Sequence, residues 1–212
     1  MSVAVKTQAS ISESHFVHFY RDEKFLSGAL LEFIRLGVEK KDGIVVVATE
    51  SHIAELCRAL DINIVSHVRF VDARWALKNI YQGHVLKKDA FSDHVMNLII
   101  EMRSHYKTIR IFSETVNLLC EENRVEAALE LEEYWNGILQ SYPGTLMMCG
   151  YNLKYLSSKD YQDILASHFY SSGNEDVNYS LESLCEKVTS LEIKNLENQM
   201  QQKKSRLNSE IQ

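Results

Sequence analysis

The chain has a single proline, Pro143, and only eight glycines in 212 residues. So few breakers exclude collagen-like and low-complexity architectures and leave room for long uninterrupted elements. None of the glycines builds a GxxxxGK[ST] phosphate loop, and no GxSxG nucleophile elbow occurs. The four cysteines, Cys57, Cys120, Cys149 and Cys185, form no CxxC pair, so their spacing suggests neither a zinc site nor a disulfide framework. No apolar run reaches the length of a bilayer span, and the opening MSVAVKTQASISES lacks the apolar core of a signal peptide; a cytoplasmic protein is the expectation. Positive charge is also in short supply. Lys and Arg number 23 against 29 Asp and Glu, a formal net charge of -6, which argues against a general affinity for nucleic acid or an anionic membrane.

What is present is an alternation of apolar runs and amphipathic stretches. Phe16 to Tyr20 suits a strand. Phe25, Leu26, Ala29, Leu30, Phe33, Ile34 and Gly37 recur at helical spacing, with Asp22 and Glu23 in the first turn, where negative charge complements the helix dipole. Gly37 is placed to close that helix. Ile44 to Ala48 is a β-branched run of the kind buried on both faces of a parallel sheet. The spacing then predicts a helix through about Leu60, a strand over His67 to Asp72, a short helix over Ala73 to Tyr81, and a long helix marked by Phe91, Val95, Leu98, Ile99, Met102 and Tyr106. A strand ending on Glu114 follows, then a helix with Ala128, Leu131, Trp135, Ile138 and Leu139 on one face and Glu122, Glu126, Glu130 and Glu133 on the other. Thr145 to Tyr151 reads as a further strand and Ser158 to His168 as a last helix. Such alternation implies βαβ units: a three-layer α/β fold around a mainly parallel sheet of five or so strands.

Four segments result: a flexible lead-in over 1–13, a globular domain over 14–170, a linker over 171–179 and a C-terminal helix over 180–212. In that last segment Leu181, Leu184, Val188 and Leu191 keep a 3-4 spacing that slips near Leu196. The pattern predicts an imperfect coiled coil and, through it, a homodimer.

In an open parallel sheet, ligands sit beyond the carboxyl ends of the strands. Tyr20 to Glu23, Thr49 to His52, Asp72 to Trp75, Ser113 with Glu114, and Cys149 to Tyr151 are therefore expected along one edge. The turn Tyr20-Arg21-Asp22-Glu23-Lys24-Phe25 stands where a phosphate loop would, but it carries acids and no glycine. A triad of Cys149, His168 and Glu114 has only strand and helix ends in its favour. A metal site from His15, His18, Cys149 and His168 has one pair with local spacing, and residues three apart on a strand face opposite sides, so no metal is expected.

The ordered blocks SHFVHFYRDEKFL, GIVVVATESH, VRFVDAR, IRIFSETVNLL, ALELEEYWNGI, LMMCGYNLKYL and ASHFY resemble the MEDS domain, a sensory domain named for methanogens, methylotrophs and a dichloromethane-responsive regulator. The resemblance covers Ser14 to Tyr170. It implies a RecA/KaiC-like fold whose nucleotide loop has decayed, used in prokaryotic signal transduction to sense small hydrocarbon derivatives, alone or fused to histidine kinases, regulators or DNA-binding domains. Position by position it points to His15, Tyr20, Glu114, Cys149, Tyr151 and His168 as ligand contacts, and to Glu130 or Glu132 with Trp135 in the helix between. Lys41-Asp42-Gly43 departs from the family's glycine-glutamate. The expectation is a non-catalytic module that binds a small molecule at the strand ends and signals through its C-terminal helix to a kinase or regulator; it names no cofactor. An ATP-binding switch with residual NTPase activity and a plain scaffold are the competing readings.

Overall fold

The structure, a computed structural model, describes residues 14–82 and 85–172. A six-stranded sheet forms the middle layer in the order β3-β2-β6-β7-β1-β8: β1 is His15–Tyr20, β2 Gly43–Ala48, β3 Val68–Asp72, β6 Ile109–Ser113, β7 Thr145–Asn152 and β8 Tyr170–Ser172. Every neighbouring pair in it is parallel. Two residue pairs, β4 (Tyr81–Gln82) and β5 (Val85–Leu86), make a small antiparallel ribbon beside it.

Right-handed crossovers decide where the helices go. The path from β1 through β2 to β3 runs toward one edge of the sheet, and its helices α1 (Glu23–Glu39) and α2 (Glu50–Ala59) place Leu26, Leu30, Phe33 and Leu56 in one apolar layer; the short α3 (Ile62–Val65) follows α2. The return path from β3 to β6, β7 and β8 runs the other way. Its helices α4 (Ala73–Ile80), α5 (Lys88–Arg103), α6 (Thr115–Glu121), α7 (Val125–Ser141) and α8 (Ser158–Ala166) fill the opposite layer. Side chains alternate along β2 to match. Val45 and Val47 enter the second layer while Ile44, Val46 and Ala48 enter the first, which is why the run is apolar throughout. The direction of travel reverses between β2 and β6, and a switch of this kind opens a crevice at the carboxyl ends of the two strands.

The expected α/β layering and parallel sheet are present, and three local readings change. First, Gly37 does not close α1: an added Cβ there would lie 2.8 Å from Ile44, so this glycine lets the helix approach the sheet, and the helix runs on to Glu39. The left-handed residue that ends it is Lys41, with φ of 59°. Lys41 N–H donates to the Val38 carbonyl and Asp42 N–H to the Gly37 carbonyl, the two bonds of a Schellman ending. Second, α6, α3 and the β4-β5 ribbon are too short to leave a periodic trace in the sequence. Third, β8 takes in Ser171 and Ser172, the first residues of the expected linker. The lead-in over 1–13, the rest of that linker and the helix over 180–212 lie outside the described residues.

Asp42, in the Lys41-Asp42-Gly43 turn that leads into β2, has a structural task. Its carboxylate accepts from Arg110 Nε at 2.5 Å, and Arg110 is fully buried in β6 with its guanidinium 5.7 Å from the centre of the Phe33 ring. An ion pair so deeply placed is strongly destabilising to break from one side, because the remaining charge stays buried. Asp42→Asn is expected to lower the unfolding free energy by about 3 kcal/mol in urea titrations, whereas the double variant Asp42→Asn/Arg110→Met loses less than the two single losses added. Lys41→Gly should act in the opposite sense. Relief of the left-handed backbone stabilises by about 0.5–1 kcal/mol, read as a higher urea midpoint with an unchanged slope.

Candidate functional site

The pleat divides the sequence-predicted residues between the two faces of the sheet. On β1, His15, Val17 and Phe19 point toward α7 and α8, whereas Phe16, His18 and Tyr20 point toward α1. On β7, Met147, Cys149 and Tyr151 share the first of these faces, and Met148 the second. The six candidates therefore form two groups rather than one pocket wall. His15, Cys149, Tyr151 and His168 meet in the interior, and Tyr20 and Glu114 meet at the carboxyl edge.

The edge group lines a cleft of about 820 Å³. Tyr20, Thr49, Asp72 and Glu114 reach it from the ends of four strands, with His52 from α2 and Glu23 from α1. Glu114 sits where the sheet changes direction and is 1% exposed. A carboxylate so buried needs donors. It has them: the Thr49 N–H donates to Oε1, and His52 Nδ1 donates to Oε2 at 2.7 Å. The other ring nitrogen of His52 lies 3.1 Å from Glu23 Oε2. Both nitrogens can donate only in the imidazolium form, and the hydrogen bond to Glu114 accordingly raises the His52 pKa against the opposing effect of burial, with Glu23 adding to it. Asn152 Nδ2 donates to Glu23 Oε1 at 3.2 Å, and Asn117 accepts from the Asn152 N–H at 2.9 Å. Burial, followed by the charges of Glu23 and Glu114, raises the Tyr20 pKa, so that its hydroxyl keeps its proton.

The glycine-free turn after β1 is also accounted for. Asp22 is the N-cap of α1, and its side chain accepts from the Lys24 N–H at 2.9 Å. A carboxylate thus holds part of the donor set that a phosphate would require at a helix start, and Glu23 adds a second acid beside it.

The interior group is built around a residue that the sequence reading left as one of two choices. Glu132 lies on the buried stripe of α7, between Leu131 and Trp135, with none of its surface exposed. His15 Nε2 stands 3.1 Å from Glu132 Oε2, His168 Nε2 3.3 Å from Oε1, and Cys149 Sγ 3.3 Å from Oε2; Tyr151 Oη donates to Oε1 at 2.6 Å. His15 Nδ1 faces Asn136 Oδ1 at 3.1 Å, while Asn136 Nδ2 donates to the Ser167 carbonyl at 3.0 Å. Burial, then His168, lowers the His15 pKa. Burial opposes a charge on Glu132, but the facing His168 and His15 outweigh it and hold its carboxyl well below the ordinary value. Burial and the Glu132 charge push the Cys149 thiol and the Tyr151 phenol well up. His18 is on the other face, stacked on Tyr20 at 6.3 Å, and burial lowers its pKa to about 4.

His52, Glu23, Asn117 and Asn136 were not among the sequence-predicted contacts. Position in the strand-end clusters pointed toward Glu23 and His52, and a polar residue in an apolar stripe is the signal for Glu132 and Asn136. Trp135 packs in the core as expected.

Fold and cleft together define a three-layer parallel α/β domain whose polar groups converge on its carboxyl edge. Residues 14–169 match the family described as MEDS, the MEthanogen/methylotroph, DcmR Sensory domain, and the chain belongs to that family. No curated protein matches it. Membership gives the domain a sensory, signal-transducing character, and among the described residues no helix is long and apolar enough to cross a membrane.

The imidazolium bridge sets a pH dependence. With the folded pKa of His52 above its unfolded value of about 6.5, the bridge stabilises the fold fully below that pH and is lost as pH rises through the elevated folded value. The stability difference between the wild type and His52→Gln should shrink over that window in urea titrations, and the NMR titration of His52 should move to lower pH in Glu114→Gln.

Proposed function

We propose that this chain is a non-catalytic sensory module of prokaryotic signal transduction, which binds a small molecule in the carboxyl-edge cleft. The observation that carries the reading is Glu114: a buried carboxylate at the point where the sheet reverses direction, held by Thr49 and His52 on the floor of an open cleft. Glu23, Glu50, Glu55, Asp72 and Glu121 surround it, against Arg74, Lys154 and His52. Such a lining favours a small ligand that brings hydrogen-bond donors or positive charge, an amine or alcohol derived from a simple hydrocarbon, over a polyanion. The acidic turn before α1 weighs against the ATP-switch alternative for the same reason. A RecA/KaiC-like ancestry belongs to this proposal and draws support from the place of that turn, between a parallel strand and a helix.

A second pocket favours an apolar ligand or the apolar part of one. It encloses about 180 Å³ between the sheet, α4 and α5, lined by Val47, Val71, Trp75, Phe91, Ile111 and Trp135 among others. Trp135 Nε1 is buried there without a hydrogen-bond partner, and an indole N–H in that state suits a ligand carrying one acceptor or halogen atom. Output through residues 180–212, by dimerisation or by docking of a kinase or regulator, remains part of the proposal.

Thermal-shift measurements on the full chain test it. Small amines or alcohols should raise Tm by roughly 5 °C at a hundredfold excess over Kd, and Glu114→Gln should abolish that response. A response to small halocarbons that is lost in Trp135→Phe would assign the second pocket instead. Stabilisation by magnesium-ATP alone contradicts the sensory reading in favour of a nucleotide switch, and stabilisation by none of these compounds favours a scaffold.

A further inference from the structure

The interior cluster has a geometry that the cleft reading does not use. The ligand-type atoms of His15, Glu132, Cys149 and His168, one from each, all lie within 4.8 Å of one another, and all four residues are buried. Three of the separations are 3.1 to 3.3 Å: His15 Nε2 to Glu132 Oε2, Glu132 Oε2 to Cys149 Sγ, and Cys149 Sγ to His15 Nε2. Metal-ligand bonds of about 2.0–2.3 Å in a tetrahedron put neighbouring ligand atoms about 3.3–3.7 Å apart. The side chains thus already stand close to the spacing that such an ion would impose.

The outer hydrogen bonds settle which nitrogens face inward. Asn136 is oriented by its donation to the Ser167 carbonyl, so its Oδ1 faces His15 Nδ1 and can only accept. His168 Nδ1 lies 2.8 Å from the Ile164 carbonyl, again an acceptor. Each imidazole therefore carries a proton on Nδ1, so that in the neutral form of the ring the lone pair of Nε2 turns toward the Glu132 carboxylate. His168 Nε2 is buried, and its one polar neighbour is Glu132 Oε1 at 3.3 Å, outside hydrogen-bond geometry. Where the rings are neutral, two lone pairs and a carboxylate around one point repel one another, and a bound cation relieves that repulsion in the place of ring protons. Donation of the outer N–H to a carbonyl is also the arrangement by which proteins hold metal-bound histidine, and the Tyr151 hydroxyl supplies the matching support to Glu132.

We propose that His15 Nε2, Glu132, Cys149 Sγ and His168 Nε2 form a tetrahedral site for a divalent transition-metal ion of the zinc class. A soft thiolate, two imidazoles and a carboxylate suit that class rather than magnesium or calcium. On binding, Cys149 gives its thiol proton to solvent and forms the metal–sulfur bond. The dication, thiolate and carboxylate then sum to zero charge, which a dry interior tolerates. With four protein ligands the site has no open position, so the ion fixes structure rather than activating a substrate. It ties β1, β7, α7 and the end of α8 together at the point where the chain passes into β8. The site stands apart from the cleft and does not depend on the reading given to it.

The test uses the full chain, prepared without a metal-affinity step and kept reduced with a phosphine. After exposure to zinc and dialysis, elemental analysis should find one zinc per chain, and no magnesium after the same treatment with Mg²⁺. Cobalt(II) in place of zinc should show the visible bands of a tetrahedral ion and a thiolate-to-cobalt charge-transfer band in the near ultraviolet. Cys149→Ser should abolish the charge-transfer band and weaken cobalt binding by more than the roughly 10- to 100-fold that loss of a ligand's supporting partner costs, with folding followed by circular dichroism. The exposed Cys57→Ser variant should match the wild type. Folded wild-type protein that retains no zinc overturns the proposal, as does a charge-transfer band that survives Cys149→Ser. Because the wild-type measurements stand alone, failure of the Cys149 variant to fold leaves the question decidable.

Discussion

Both polar sites depend on the parallel pairing of β1 with β7. The register sets His15 beside Met147, Val17 beside Cys149 and Tyr20 beside Asn152. Strand side chains alternate, so this single alignment sends His15, Cys149 and Tyr151 into the interior and delivers Tyr20 to the edge with Asn152. A slip of one residue would exchange the faces: His15 would turn toward α1 and Tyr20 away from the cleft. The apolar partners guard against that slip, since Phe16 and Phe19 fill opposite layers and both are fully buried.

The two sites differ in what holds them. At the edge, charges meet with solvent close by: Glu114 is buried, but Glu23 keeps a side chain 49% exposed, so the His52 bridge can open without breaking the core. In the interior the side chains of His15, Glu132 and His168 have no exposed surface, and every polar atom there must find its partner within the protein. The edge is therefore suited to exchange a ligand and the interior to keep an ion. An α/β sheet supplies both environments within one strand because its carboxyl ends open outward while its middle is closed by helices on either side.

Much of this architecture was legible in the sequence. The apolar run at Ile44 to Ala48, the helical spacing from Leu26 to Ile34 and the strand ending on Glu114 each carry their period openly, and the fold follows from their alternation. The ends of elements were harder to read. Gly37 looked like a helix stop, yet its missing side chain serves a close approach to Ile44 and Arg110, and the left-handed position fell to Lys41, which offers no sign of it. The candidate residues were nearly all named, but as one pocket. Strand parity already separated Tyr20 from His15 and could have divided them. What sequence could not supply was the tertiary pairing that brings Glu132, 17 positions before Cys149 in the chain, against His15 and His168; a carboxylate in an apolar stripe marks a demand for partners without naming them.

The central claim is that strand register builds two separate polar sites, one open at the sheet edge and one closed around a metal. Anomalous diffraction from a crystal of the full chain grown with zinc tests it most directly. The account predicts one strong peak about 2.0–2.3 Å from His15 Nε2, His168 Nε2, Cys149 Sγ and a Glu132 oxygen, with Tyr20 and Glu114 lining a cleft free of it. An interior cluster that closes on itself with no peak, or a zinc ion held instead by Glu114 and His52 at the edge, would contradict it.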